Sequence, residues 1–234
     1  MIAMILAAGK GERLKPITNK IPKPLIEING KSLIEYHLEN LNNAGFKKVL
    51  INVSHLGNLI YEKIGCSYKN LLIFYSFEPD PPLDTAGGIS FAQPWTNIQE
   101  PFLILNADIW FDWPLKKAFK FFNLIREKDL LAHLILIENN EFKKNDFYLD
   151  NGLVKTNICY SNHSKKMLTY SGCGIYSPKL FLKIERGKKF PLVKLLNNAS
   201  DRNLISGERF TGEWFDVGTR ARLKKLRKLK EIKN

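Results

Sequence analysis

Three cysteines in 234 residues, Cys66, Cys159 and Cys173, are too few and too scattered for a C-x-x-C pair. An odd, dispersed set argues against a disulfide framework or a structural zinc site and for reduced thiols. Histidine is nearly as scarce. His37, His55, His133 and His163 share no metal-ligand spacing, and His37 falls on the apolar face of a helical pattern. No Ser-His-Asp or Cys-His arrangement can be read, so nothing points to a covalent hydrolase. No run approaches the ~18 apolar residues of a membrane span. Met1–Ala8 also lacks the basic region that opens a secretory leader. A cytoplasmic protein with no membrane partner is expected.

Linkers, low-complexity tracts and internal repeats are missing as well, so a single domain is expected over residues 1–234. Acidic residues run short, 23 Asp and Glu against 36 Lys and Arg, for a net charge of +13. That balance invites a nucleic-acid reading, but more than half the excess lies in 220–234, which holds eight Lys or Arg and one Glu. There Leu223, Leu226, Leu229 and Ile232 recur every three positions, the pattern of a closing helix with its apolar stripe inward and its lysines in water. No aromatic-basic recognition motif accompanies it, so no specific nucleic-acid partner is expected.

Two familiar phosphate motifs are also absent. There is no G-x-x-x-x-G-K-[ST] sequence, and Leu14 stands where a dinucleotide fingerprint needs its third glycine.

What the chain does have is alternation. Ile2–Leu6, Val49–Val53, Leu71–Phe77, Phe102–Asn106 and Leu131–Ile137 read as strands. Helical patterns at Leu33–Ala44, Leu59–Ile64 and Leu115–Ile125 lie between them. This predicts an α/β fold, a mostly parallel sheet with helices on both sides and ligands at the carboxyl ends of the strands. The second half changes character. Asn151-Gly152 marks a hairpin, Tyr170–Tyr176 and Glu213–Val217 read as strands, and Pro191–Asn198 as a helix. A β-rich lobe is expected there. The divisions expected are a nucleotide-binding half (1–137), a sugar-binding lobe (138–218) and a basic C-terminal helix (219–234).

The most informative stretch follows the first strand. Gly9-Lys10-Gly11-Glu12-Arg13-Leu14 is a Gly-rich turn carrying two cations, and Lys23 follows between Pro22 and Pro24. Exposed backbone N–H groups and three fixed positive charges around one point suit a polyphosphate. Asp108 follows a buried strand, and Asp216 lies in a distant strand-like run before Gly218-Thr219. Two such carboxylates meeting beside a polyphosphate suit Mg²⁺, which takes one or two acids plus phosphate oxygens.

Leu6–Leu14 with Pro22-Lys23-Pro24 resembles the signature of the sugar-1-phosphate nucleotidyltransferases. The likeness continues in Thr85-Ala86-Gly87-Gly88, Asn106-Ala107-Asp108, Tyr170-Ser171-Gly172-x-Gly174 and Trp214-Phe215-Asp216-Val217-Gly218-Thr219. These islands keep the family's order and span nearly the whole chain. The resemblance implies a glycosyltransferase-A-like fold with a sugar-binding lobe. It also implies a nucleoside triphosphate and a sugar 1-phosphate as partners, Mg²⁺ as cofactor, and a nucleotide-sugar and pyrophosphate as products. It assigns Arg13 and Lys10 to the leaving pyrophosphate and Lys23 to the α-phosphate and incoming sugar phosphate. Leu6, Ala8, Gly9, Gly11, Glu12, Asp84, Thr85, Gly87 and Asn106 are implied to bind the nucleotide. Asn145, Asp146, Ser171 and Gly172 fall where the sugar contacts lie, and Asp108 and Asp216 where the metal is held.

Glu12, the helix pattern around Glu35-Tyr36-His37-Leu38 and the compact length look most like the branch that makes UDP-N-acetylmuramate from UTP. The mannose-1-phosphate guanylyltransferases are similar at nearly every motif. The chain departs from the common family pattern in two places: Ala107 replaces a Gly, and Glu12 replaces a Thr. No hexapeptide-repeat region is present, so a bifunctional acetyltransferase is not expected. A non-catalytic nucleotide-sugar-binding protein is the rival of another class, but it would have no need of Lys23, Asp108 and Asp216 together. A monomer or homodimer is expected.

Overall fold

The computed structural model describes residues 1–92, 100–138, 147–156 and 166–232. The first half alternates as its periodicity predicts. Strand β1 (Ile2–Leu6) leads through the Gly-rich loop to a small ribbon, β2 (Glu27–Ile28) and β3 (Lys31–Ser32). Helix α1 (Leu33–Ala44), β4 (Lys48–Val53), α2 (Gly57–Ile64), β5 (Ser67–Tyr68) and β6 (Leu71–Phe77) follow. Then come α3 (Asp84–Ala92), β7 (Phe102–Asn106), β8 (Ile109–Phe111), α4 (Ala118–Glu127) and β9 (Ala132–Ile137). The second half adds β10 (Tyr148–Asp150), β11 (Leu153–Lys155), β12 (Thr169–Tyr176), α5 (Leu192–Asp201), β13 (Ile205–Phe210), β14 (Trp214–Asp216) and α6 (Arg220–Ile232).

Ten of these strands form one sheet in the order β10-β11-β13-β9-β12-β7-β1-β4-β6-β5. The four strands β7, β1, β4 and β6 run parallel to one another, and β12 runs against both of its neighbours. The strands of the second half thus continue the sheet, and β14 alone leaves it, to pair with β8. Apolar clusters cover both faces of the sheet. That is why Phe102–Leu105 of β7 and Leu134–Ile137 of β9 are continuous apolar runs, not alternating ones.

Local chemistry sets the element ends. Ser32 N–H and Oγ both bond Glu35 Oε2 (3.0 and 2.5 Å), closing the first turn of α1. Gly45 ends that helix at φ 94°, a left-handed value that glycine adopts freely. Asn151 and Gly152, at φ 50° and 79°, make the tight turn between β10 and β11 that their dipeptide predicts.

A third apolar cluster joins Leu14, Ile26, Ile28, Leu33 and Val217 to Leu223 and Leu226 of α6. The closing helix therefore packs behind the Gly-rich loop, with Lys224, Lys225 and Lys228 exposed. Arg227 anchors it further by donating twice to the Glu27 carbonyl (3.1 and 2.8 Å). Among the described residues, no helix is long and apolar enough to cross a membrane.

The tightest packing near the loop lies beneath α3. A Cβ on Gly88 would sit 2.2 Å from Glu78 Oε1 and 3.0 Å from Asn52 Nδ2. Glu78 is buried and held at both oxygens, by Asn52 Nδ2 (2.5 Å) and Leu83 N–H (3.0 Å). Gly88→Ala is therefore expected to destabilise the fold by about 1–3 kcal/mol, read as a lower denaturant midpoint at unchanged slope. An unmoved midpoint would mean that Glu78 yields freely.

Candidate active site

The carboxyl edge of the parallel strands carries the site. Leu6 ends β1, Asn52 lies near the end of β4, Glu78 follows β6, and Asn106 ends β7. The loop leaving β1 is fastened by Ala7 N–H, which donates to Asn52 Oδ1 (2.9 Å). A cavity of about 260 Å³ opens over these ends. Leu6, Ala8, Gly9, Lys23, Asp84, Thr85, Asn106 and Asp108, all singled out in the sequence, line it. Pro24 of the Pro-Lys-Pro motif and Pro82 join them, as do Asn52 and Glu78, which the motifs had not marked. A Cβ on Gly9 would meet nothing within 4 Å, so the backbone there faces open space.

The two aspartates meet through the β8–β14 ribbon. Asp108 directly precedes β8, Asp216 ends β14 opposite Ile109, and Val217 N–H donates to the Asp108 carbonyl (2.8 Å). Lys23 Nζ stands 2.5 Å from Asp108 Oδ2, buried to 7% exposure. Arg222 Nη1 stands 2.5 Å from Asp216 Oδ2. Arg13 belongs to the same cluster, because a Cβ on Gly218 would meet Arg13 Nη2 and Asp216 Oδ1, each at 2.7 Å.

Other motif residues have different surroundings. Gly11 makes a left-handed turn (φ 65°) against Thr18, whose hydroxyl donates to the Gly11 carbonyl (2.9 Å). Exposed Glu12 pairs with Lys15 (2.5 Å), and Lys10 pairs with Asp80 (2.6 Å). The Thr85–Gly88 segment forms the opening of α3 itself. Gly87 N–H donates to the Phe190 carbonyl, and a Cβ there would sit 2.5 Å from the Lys188 carbonyl. Its missing side chain thus admits the 188–190 segment, while Asp84 and Thr85 face the cavity. Gly172 (φ 85°) lies against Asn106, where a Cβ would meet Nδ2 at 2.8 Å. Ser171 offers its carbonyl to the Trp214 indole N–H (2.8 Å). Asn145 and Asp146 lie outside the described residues.

Asp216 also lines a second cavity of about 400 Å³, with Trp214, Phe215, Phe210 and Arg209. The carboxylate pair thus stands between two cavities. The nucleotidyl transferase family profile matches residues 2–157. The chain belongs to the nucleotidyl transferase family. It is 41% identical over 231 residues to the N-acetylmuramate alpha-1-phosphate uridylyltransferase of Neisseria meningitidis serogroup B, covering 98% of each chain. It is 33% identical to the UTP–glucose-1-phosphate uridylyltransferase of a Synechocystis strain, covering 93% of this chain and 60% of that one. Its fold matches a crystal structure of UDP-glucose pyrophosphorylase complexed with UDP-glucose at a TM-score of 0.78, with 19% identity over 100% of this chain and 99% of that one. It is a sugar-1-phosphate nucleotidyltransferase, as the resemblance implied.

The electrostatics of this nucleotidyltransferase suit a cation at the carboxylate pair. Burial and the neighbouring Asp108 charge hold the Asp216 carboxyl above its ordinary value, against the opposing pull of Lys23, Arg222 and Arg13. A divalent ion of the kind the family uses would relieve that repulsion. Among the described residues no group of three or more His, Cys, Asp or Glu could hold a metal. Two carboxylates alone leave positions for water and phosphate oxygens, the donor set that Mg²⁺ prefers. His37 is a core residue, as its place on the apolar face of α1 predicts, and burial lowers its pKa to about 4. Its ring contacts the backbone at Ala107 and Ile109, on either side of Asp108. Neutral and packed there, it supports the turn that presents the carboxylate.

Proposed function

We propose that the enzyme transfers a uridylyl group from UTP to N-acetylmuramate 1-phosphate, releasing pyrophosphate, with Mg²⁺ as cofactor. The observation that carries this reading is the meeting of Lys23, Arg13, Asp108 and Asp216 between two cavities. One cavity takes the nucleoside and the other the sugar, so the two phosphates come together at the cluster. The similarity to the Neisseria uridylyltransferase supports this choice of base and sugar.

The reaction is an in-line displacement. An oxygen of the sugar 1-phosphate attacks the α-phosphorus, and the bond to the β-phosphate oxygen breaks. The attacking phosphate, with a second pKa near ~6, is already largely dianionic at neutral pH and needs no strong base. That suits a site beside which His37 is buried and neutral. Lys23 meets the charge that gathers on the α-phosphoryl oxygens. Arg13, exposed on the loop, forks onto the departing pyrophosphate. Asp108 and Asp216 would hold the Mg²⁺, which when bound neutralises phosphate charge and orients both reactants. Leu6, Ala8, Gly9, Asp84, Thr85 and Asn106 cradle the nucleoside. Lys10, Gly11, Glu12 and Gly87 shape the loop and helix around it, and Ser171 and Gly172 border the sugar. Residues 1–137 thus serve the nucleotide and 138–218 the sugar, with 219–234 as a brace behind the loop. One chain supplies every residue named, so a monomer suffices, and a nucleoside triphosphate substrate places the work in the cytoplasm.

The test is a substrate matrix. UTP, GTP, dTTP and CTP are each paired with N-acetylmuramate, N-acetylglucosamine, mannose and glucose 1-phosphates, and pyrophosphate release is measured. The highest kcat/KM is expected for UTP with N-acetylmuramate 1-phosphate. A preference for GTP with mannose 1-phosphate would overturn the substrate pair.

A further inference from the structure

Two buried polar side chains join the loops that wall the 260 Å³ cavity on either side. Asn52, on β4, and Glu78, just past β6, are 3% and 8% exposed, and both line the cavity. Asn52 Oδ1 accepts from Ala7 N–H (2.9 Å), where the Gly-rich loop leaves β1. Asn52 Nδ2 donates to Glu78 Oε1 (2.5 Å), and Leu83 N–H donates to Glu78 Oε2 (3.0 Å). Ala7 leads on to Ala8 and Gly9, and Leu83 to Asp84 and Thr85. Those four residues line the cavity as well.

The direction of every bond in this relay is fixed. The backbone N–H groups at its two ends can only donate, so an oxygen must face each of them. The Asn52 amide therefore turns its NH2 to Glu78, and Glu78 accepts at both oxygens. Burial pushes the Glu78 carboxyl up, and those two bonds oppose the rise. A buried carboxyl costs stability that an apolar side chain would not. In exchange, a fully paired network fixes one arrangement of the segments it joins. The loops also meet at the rim through Lys10 and Asp80 (2.6 Å), but that pair is partly exposed and worth little. We propose that Asn52 and Glu78 are positioning residues that lock the Gly-rich loop and residues 79–84 into one unit. The loop that grips the triphosphate and the segment that cradles the nucleoside then keep a fixed spacing. The inference rests on reading this cavity as the nucleotide site.

Reversing the relay tests it. Glu78→Gln alone turns an NH2 toward one of two fixed donors, and Asn52→Asp alone sets two carboxylates against each other. The double variant Asn52→Asp/Glu78→Gln satisfies all three bonds again, with the middle one reversed, and keeps one acid in the pair. The cycle is run with the triphosphate that the parent enzyme prefers, so a wrong choice of base does not disturb it. Each single variant is expected to lose about 10–100-fold in kcat/KM for the triphosphate, with KM for the sugar 1-phosphate changed less than about threefold. The double variant should return to within about threefold of the parent. Should a single variant fail to fold by circular dichroism, the double variant still decides. If it regains the denaturant midpoint but not kcat/KM, the nucleotide touches the Glu78 carboxylate itself, and the role is contact, not positioning. Single variants with a lowered midpoint and unchanged kcat/KM would leave the relay a purely structural part. A double variant as impaired as the single ones would mean that the loops are held in some other way. Each of these three results overturns the inference while the nucleotide reading of the cavity stands. Losses confined to KM for the sugar 1-phosphate would overturn both.

Discussion

Asp108→Asn is expected to cut kcat by about three orders of magnitude or more while the protein stays folded. The amide keeps the size and shape of the side chain but has no charge to give a cation. It also leaves Lys23, which is 2.5 Å away and almost fully buried, without its counter-charge. Losing that partner costs about 1–3 kcal/mol, less than a fully buried pair because the Asp108 side chain is partly exposed. Single-turnover pyrophosphate release measures the chemical step. Titration with Mn²⁺ measures metal affinity in the same variant. Near-normal turnover with unchanged Mn²⁺ affinity would remove Asp108 from the metal pair.

That two aspartates 108 residues apart share one site was legible only through the motif likeness. Composition and periodicity gave the strands that end at Leu6 and Asn106 and the turn chemistry at Gly45 and Asn151-Gly152. Those features are local, and the structure keeps them. The pairing of β14 with β8 is not local, and no nearby residue dictates it. Arg222 was hidden for a related reason. On its own helix it is one basic residue among many, and only the ribbon's placement of Asp216 makes it a partner. Gly87 and Gly88 carry a different signal: where a side chain would stand, the 188–190 segment and Glu78 come close. A glycine signals that something comes near, and the sequence does not say what. Asn52 and Glu78 left a fainter sign, polar residues at or just past the ends of apolar strands. In a parallel sheet that is the position of a ligand edge.

Lys23→Met should have the second-largest effect, a fall in kcat of about 10²–10³-fold with KM for UTP changed less than about fivefold. Lys23 lies at the cavity floor beside Asp108, whereas the exposed Arg13 stands on the loop above. Triphosphate binding can draw on Arg13 and the loop backbone. The charge that gathers on the α-phosphoryl oxygens as the new bond forms has Lys23 as its closest fixed cation in this arrangement. An interaction that strengthens only in the transition state appears in kcat, while one made equally in the ground state appears in KM. Methionine matches the buried stem of lysine and asks for no hydrogen bond, so stability should hold or rise slightly. Asp108 retains contact with solvent and tolerates the loss of its partner better than a buried carboxylate would. A variant that is folded, as stable as the parent and slow at saturating UTP places Lys23 in the chemical step. A raised KM at normal kcat would make it a binding residue for the triphosphate. A lowered melting temperature with kcat unchanged would leave it only the role of countering Asp108.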